Sequence, residues 1–171
     1  MLGNRGGKFH CDDQSLGERR WASHHWICCE LHFKDRHHEP MGRGYTSLFF
    51  LDEVTALAAG HRPCFECRRV EAKAFLAGEK VDGFDRRLHA QRLMSPHPLP
   101  PKLPDGAMVA LDGLAYAIRR GCMLRWNFSG YDAAIPISPD AKLLTAPMIT
   151  AILAAGYQPR WHPSALQWDD T

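Results

Sequence analysis

The sequence has no long hydrophobic run, no apolar segment at its start and little net charge. None of its apolar runs approaches the roughly 20 residues that a membrane-spanning helix needs, so no membrane partner is expected. Residues 1–7 lack the apolar core of a signal peptide, which predicts a cytoplasmic protein. A net charge of +2 is too small to indicate nucleic-acid binding by itself.

The composition is that of a globular protein with a hydrophobic core. The chain has 171 residues, of which 45% are hydrophobic, and this predicts one domain or slightly more. It also has six cysteines and ten histidines. In a cytoplasmic protein these cysteines are expected to be thiols or metal ligands rather than disulfides.

The hydrophobic pattern predicts an α+β fold. We expect a small antiparallel sheet with helices around a metal site over residues 1–94. A proline-rich connector follows at 95–104, because five prolines in nine residues exclude a helix or a central strand. Residues 105–171 are expected to form an antiparallel meander and a helix, packed on the first region.

Within the first region, strands are expected at 21–33 and 45–51, and residues 1–7 are expected to form a loop. Alternation along 21–33 places Cys29 on the apolar face, toward the helices. Asp52 is a suitable N-cap for a first helix, and Gly60 a suitable left-handed residue after its end. A second helix is predicted over 66–77, with an apolar stripe formed by Val70, Ala74 and Phe75.

The hydrophobic pattern of the second region predicts three strands joined by tight turns, followed by a helix. The strands are expected at 107–111, 114–118 and 122–128, and the meander is expected to end at 129–131. The helix is expected over 145–155, because Pro147 suits a first turn and Gly156 a helix end.

Two cysteines two residues apart form the most specific motif. Cys64 and Cys67 lie in a predicted turn before a helix, a spacing that places two thiolates along one edge of a tetrahedral metal site. Zn²⁺ is therefore the expected cofactor, although iron also binds such sites. Further ligands must come from elsewhere, and Cys29 and His10 are preferred among the available cysteines and histidines (His10, Cys11, Cys28, Cys29 and His32).

Residues 50–69, with the core Ala-Leu-Ala-Ala-Gly-His-Arg-Pro-Cys-Phe-Glu-Cys-Arg at 56–68, resemble the metal-binding domain of Ada-type DNA-repair and transcription-factor proteins. The resemblance covers about 20 residues and implies that Cys64 and Cys67 are two zinc ligands. In that domain an upstream Cys-x-x-x-Cys supplies two further thiolates, one of which accepts a methyl group from DNA. This chain has only the adjacent Cys28 and Cys29, which indicates a mixed site without that activity. The chain as a whole is also similar to an uncharacterised bacterial family.

The first functional hypothesis is a nucleic-acid-binding protein, with DNA or RNA as the partner. Phosphates would be neutralised by arginines around the metal motif and by Arg5 of the N-terminal loop. The preferred contacts are Arg5, Arg62, Arg68 and Arg69, with further support from Lys8, Arg19, Arg20 and Arg43.

The alternative is a metal-dependent nuclease or nucleotide hydrolase. Its candidate catalytic residues are His10, His61, Asp52 and Glu53, and His24, His25 and His32 add possible bases or second-metal ligands. Asp52 and Glu53 also suit a helix N-terminus. A third possibility is a partner-binding module that uses the proline-rich connector and the aromatic residues of 126–131.

Overall fold

The computed structural model describes residues 1–35 and 39–169, and it confirms the α+β class. The chain forms two compact units. The N-terminal unit comprises Met1–Phe50 and His61–His89, and the C-terminal unit comprises Leu51–Gly60 and Ala90–Thr171. The short segment between Phe50 and His61 therefore groups with the later part of the chain, whereas the sequence pattern suggested a division near residue 94.

The N-terminal unit contains a four-stranded sheet of very short strands. Its order is β3-β1-β2-β4, and β1 pairs antiparallel with both β2 and β3. The β2–β4 pair is parallel, so the sheet is mixed. The strands are β1 (Leu2–Asn4), β2 (Ile27–Cys29), β3 (Leu48–Phe49) and β4 (Arg62–Pro63).

The strands of this sheet differ from those expected. The predicted strands at 21–33 and 45–51 shrink to three and two residues, and β1 forms where a loop was expected. A Cβ at Gly3 would lie 2.3 Å from Cε2 of Phe50, so this glycine permits close packing within a strand. Cys28 of β2 and Trp26, the residue just before this strand, are buried, whereas Leu31, which follows the strand, is exposed.

Two helices complete the N-terminal unit. They are α2 (Arg69–Leu76) and α3 (Val81–Arg92), the last residues of which belong to the C-terminal unit. The predicted apolar stripe of α2 was wrong at two of its three positions, because Val70 and Ala74 are exposed. The helix instead buries Ala72, Phe75 and Leu76, and the ring of Phe75 packs edge-on against Phe84 of α3.

The C-terminal unit is built on a five-stranded antiparallel sheet of order β8-β7-β6-β5-β9. The three predicted strands are confirmed, but the meander continues through β8 where an end was expected. The strands are β5 (Met108–Leu111), β6 (Leu114–Arg119), β7 (Cys122–Asn127), β8 (Gly130–Pro136) and β9 (Lys142–Leu143). The helices of this unit are α1 (Glu53–Ala58), α4 (Pro147–Ala154) and a 3-10 helix (Pro163–Trp168).

The predicted capping of α1 is confirmed. The Asp52 carboxylate accepts a hydrogen bond from the backbone N–H of Thr55, and the Thr55 hydroxyl accepts one from the backbone of Asp52. Gly60 follows the helix with φ +80°, which an L side chain rarely adopts. Val54 of α1 packs with Met108 in the core of this unit.

Within the described ranges, no helix is both long and apolar enough to cross a membrane.

Candidate metal centre

Parallel pairing of β2 with β4 places the three cysteines of the site in adjacent segments. The backbone N–H of Cys64 donates to the carbonyl of Cys28 at 3.1 Å, which aligns the end of β4 with β2. A turn follows, in which the N–H of Arg68 donates to the carbonyl of Cys64 at 3.0 Å. Cys67 lies in this turn, so the motif and Cys29 meet at one end of the sheet.

The sulfur atoms of Cys29, Cys64 and Cys67 all lie within 4.8 Å of one another. Two backbone N–H groups point at them: that of Glu66 is 3.4 Å from Sγ of Cys64, and that of Glu30 is 3.4 Å from Sγ of Cys67. Hydrogen bonds of this kind stabilise thiolates over thiols. The local backbone therefore favours the charged form that a metal requires.

The three thiols strongly influence one another's protonation. A hydrogen bond from Cys29 lowers the pKa of Cys64 to about 5. The same hydrogen bond, together with burial, raises the pKa of Cys29, and burial raises that of Cys67. The hydrogen bond from Cys29 therefore favours a thiolate at Cys64.

The donor set fits a tetrahedral zinc ion. With Zn–S bonds of about 2.3 Å, sulfur atoms on one zinc lie roughly 3.8 Å apart, a spacing within the 4.8 Å that bounds the sulfur separations of this cluster. Thiolates also favour Zn²⁺ over harder cations such as Mg²⁺. When bound, zinc would hold all three sulfurs as thiolates and act as a Lewis acid toward a fourth ligand.

All three cysteines line one cavity of about 210 Å³. Burial and the nearby cysteines raise the pKa of the Tyr45 hydroxyl, which keeps it a neutral hydrogen-bond donor. Oxygen donors of the lining could supply a fourth ligand or bind a molecule that does. The other residues lining the cavity are Leu2, Asn4, Ile27, Glu30, Leu31, Phe33, Tyr45 and Glu66. Sequence reasoning missed Tyr45, Glu30 and Glu66, which carry no motif.

His10, the predicted fourth ligand, is not part of the cysteine group among the described residues. Its ring is buried, and its Nδ1 lies 2.8 Å from the hydroxyl of Thr46, which also accepts hydrogen bonds from the backbone of Phe9 and His10. This contact gives His10 a role in holding the N-terminal loop. Cys28, although adjacent to Cys29, lies on the buried side of β2 beside the Arg68 guanidinium, and Cys11 is exposed.

Two of the four arginines predicted to contact phosphates are buried. Arg62 forms a bidentate ion pair with Asp85, with both N···O distances at 2.8 Å. Arg68 is 1% exposed and lies between Glu30 and Glu71 at 3.6 and 3.8 Å. These two buried guanidinium groups therefore lie beside carboxylates of the protein and do not face a phosphate. Arg69 is exposed.

Arg5 is half-buried over the ring of Trp26, with the guanidinium carbon 4.0 Å from the ring centroid. Burial and the neighbouring Arg20 lower the pKa of Arg5 to about 10, so it remains a cation at neutral pH. Its Nη1 donates to the carbonyl of Arg20 at 3.2 Å. Arg5 thus combines a structural contact with a partly accessible charge.

The remaining catalytic candidates have structural contacts. The Asp52 carboxylate also accepts hydrogen bonds from the Tyr131 hydroxyl and the N–H of His162. Glu53 accepts from the Tyr157 hydroxyl and from the N–H of Arg160. His61 is fully buried between the rings of Trp26 and Phe50, at centroid distances of 5.4 and 4.8 Å. These contacts account for the burial of all three side chains without catalysis.

No protein-family model, no curated protein and no solved structure matches this chain. The resemblance to the Ada-type domain therefore remains a prediction based on residues 56–68. The assignment of a metal site depends on the geometry of the cysteines alone.

Proposed function

We propose that the protein is a zinc protein in which Cys29, Cys64 and Cys67 bind one Zn²⁺ and the cavity beside them gives access to a non-thiolate fourth ligand. The observation that carries the proposal is the mutual approach of three sulfur atoms from two different segments of the chain. Two of these thiols have a backbone N–H directed at the sulfur.

A stabilising role for the metal follows from the small size of the surrounding sheet. Its four strands have at most three residues each, too few for strand pairing alone to provide much stability. A zinc ion would link β2 to the turn that follows β4. Because thiolates bind the metal only when the segments are folded together, the free energy of binding stabilises this unit.

The test is the zinc content of purified full-length protein after passage over a chelating resin. We expect one zinc per chain in the native protein and none in the variants Cys29→Ser, Cys64→Ser and Cys67→Ser. Cys122→Ser and Cys11→Ser are matched controls, because these thiols lie outside the cluster, and both should retain the metal. A native protein without zinc, or zinc that survives all three cluster substitutions, would exclude the proposal.

Binding of DNA or RNA stays a second, weaker candidate. The burial of Arg62 and Arg68 leaves Arg69 as the exposed member of the arginine group beside the cysteines, with Arg5 partly accessible. If nucleic acid binds here, Arg69→Gln should weaken binding to a labelled duplex and reduce its dependence on salt. Affinity that is absent at low salt would exclude this candidate while leaving the zinc proposal intact.

A further inference from the structure

The N-terminal unit contains a second group of potential metal ligands, formed by His24, His25 and Asp82. One carboxylate oxygen, Oδ1 of Asp82, lies 3.0 Å from Nε2 of His24 and 3.7 Å from Nε2 of His25. All the donor atoms of this group lie within 4.8 Å of one another. None of its members belongs to the cysteine site.

We propose that His24, His25 and Asp82 bind a second divalent transition-metal ion, with Zn²⁺ as the first candidate. Zinc bonds of about 2.0–2.2 Å to nitrogen and oxygen place tetrahedral ligands roughly 3.3–3.5 Å apart. The distances of 3.0 and 3.7 Å from Oδ1 of Asp82 to the two histidine nitrogens lie on either side of this value. Imidazole and carboxylate together suit zinc and other first-row transition metals.

The backbone explains how two adjacent histidines can share one face. Neighbouring residues of a strand point to opposite sides, but the chain bends over residues 22–24 before β2 begins. The bend is held by the carbonyl of Arg5, which accepts hydrogen bonds from the N–H groups of Ala22 and Ser23 at 2.9 and 3.2 Å. The two imidazole rings consequently lie side by side, with centroids 4.0 Å apart.

A buried carboxylate prepares His25 for metal binding. Nδ1 of His25 lies 2.7 Å from Oδ2 of Asp85, whose side chain is fully buried and ion-paired with Arg62. This carboxylate requires a hydrogen at Nδ1, so the lone pair of the neutral ring is at Nε2, which faces Asp82. Histidine ligands of metals are commonly oriented by a carboxylate in this way. Asp85 thus acts as a positioning residue.

The other contact of Asp82 is compatible with a ligand role. Arg86 donates to Oδ2 of Asp82 at 2.5 Å, which leaves Oδ1 directed toward the two histidines. Asp82 and Arg86 are exposed, so the site opens to solvent. Three protein ligands leave a coordination position for water. An exposed site with three ligands is expected to bind more weakly than the cysteine site and to lose its metal on a chelating resin.

The test is a calorimetric titration of the resin-treated full-length protein with Zn²⁺. We expect one further equivalent of Zn²⁺ to bind to the native protein, and this equivalent to be lost in His24→Ala and Asp82→Asn. Both replaced side chains are accessible, so these variants should fold, as circular dichroism can verify. His32→Ala and Asp13→Asn are matched controls on exposed residues outside the group and should bind like the native protein.

The two sites can be separated by their variants. His24→Ala should keep the zinc that survives the resin and lose only the added equivalent, whereas Cys122→Ser should keep both. If the native protein takes up no added Zn²⁺, or if His24→Ala and Asp82→Asn take up as much as the native protein, the second site does not exist. Neither result would affect the cysteine site.

Discussion

Individual arginines of this protein have roles that depend on partners distant in sequence. Arg62 follows a glycine-histidine pair next to the Cys-x-x-Cys motif, where a cation near a metal suggested a phosphate contact. Its partner, Asp85, lies in α3 and binds both Nε and Nη2 of the guanidinium. Both side chains are almost completely buried. Arg62 is therefore part of the interior of the N-terminal unit.

Asp85→Asn is predicted to destabilise the protein by about 3 kcal/mol or more, because it leaves the buried Arg62 charge without a counter-ion. Urea unfolding monitored by circular dichroism measures this loss. Asp132→Asn is the matched control, since its ion pair with Arg125 is exposed and screened by water. Equal stability of the Asp85→Asn and native proteins would contradict a structural role for the pair.

Zinc binding to the cysteine cluster should release about two protons at pH 7, because a metal displaces the proton of each thiol that is not already ionised. The low pKa of Cys64, about 5, makes it a thiolate at this pH, whereas the raised pKa values of Cys29 and Cys67 keep them protonated. Zinc affinity should therefore rise with pH around neutrality. Calorimetry in buffers of different ionisation enthalpy counts the protons, and a count near zero would mean that the cluster is already fully ionised.

Residues of the candidate site could be predicted from the sequence when their partners lie close by in the chain, and could not when their partners are distant. Cys64 and Cys67 were recognisable because their spacing is local. Cys29 was selected because alternation placed it on the apolar face of its predicted strand, yet the buried face carries Cys28, and Cys29 joins the cluster through pairing of β2 with β4. The role of Asp85 depends on residues 23 and 60 positions away, which no local pattern specifies.

At the scale of elements, helix ends were predicted well and short strands poorly. Asp52 and Gly60 delimit α1 through local capping and backbone conformation, which residue types indicate directly. The two- and three-residue strands of the first sheet have too few positions for alternation to identify a buried face. In the C-terminal unit, β5 to β7 were recognisable because each has four or more residues and tight glycine turns join them, whereas β8 was missed.

Gly60→Ala is predicted to destabilise the protein by more than the roughly 1–2 kcal/mol of a left-handed backbone with a Cβ. The new methyl group would also lie 2.8 Å from Cγ of Arg92. Gly121→Ala is the matched control, because Gly121 has nearly the same φ, +79°, but nothing within 4 Å of its Cβ position. Thermal unfolding compares the two variants. A Gly60→Ala protein as stable as Gly121→Ala would mean that the Arg92 side chain moves away without cost.

In the molecule as a whole, the two units differ in the interactions that stabilise each of them. The C-terminal unit has a five-stranded sheet and a continuous apolar core that includes Met108, Leu124 and Tyr131. The N-terminal unit has a sheet of minimal strands and a cysteine cluster. The metal proposed here should therefore matter to one unit more than to the other.

Removal of zinc with a strong chelator is predicted to reduce amide hydrogen-exchange protection in β2, β4 and α2. The strands β5 to β8 should keep their protection, because their hydrogen bonds do not involve the cluster. Mass spectrometry of exchanged peptides distinguishes the two regions. Uniform loss across both units, or no loss at all, would contradict a local stabilising role for the metal.

The most direct test of the cysteine site is X-ray absorption at the zinc edge, measured on protein that has passed over a chelating resin. We expect three sulfur neighbours at about 2.3 Å and one oxygen or nitrogen neighbour near 2.0 Å. This result would identify the three clustered thiolates and a fourth ligand of another kind. A spectrum with only oxygen and nitrogen neighbours would exclude the proposed cysteine site, because the zinc would then be bound away from Cys29, Cys64 and Cys67.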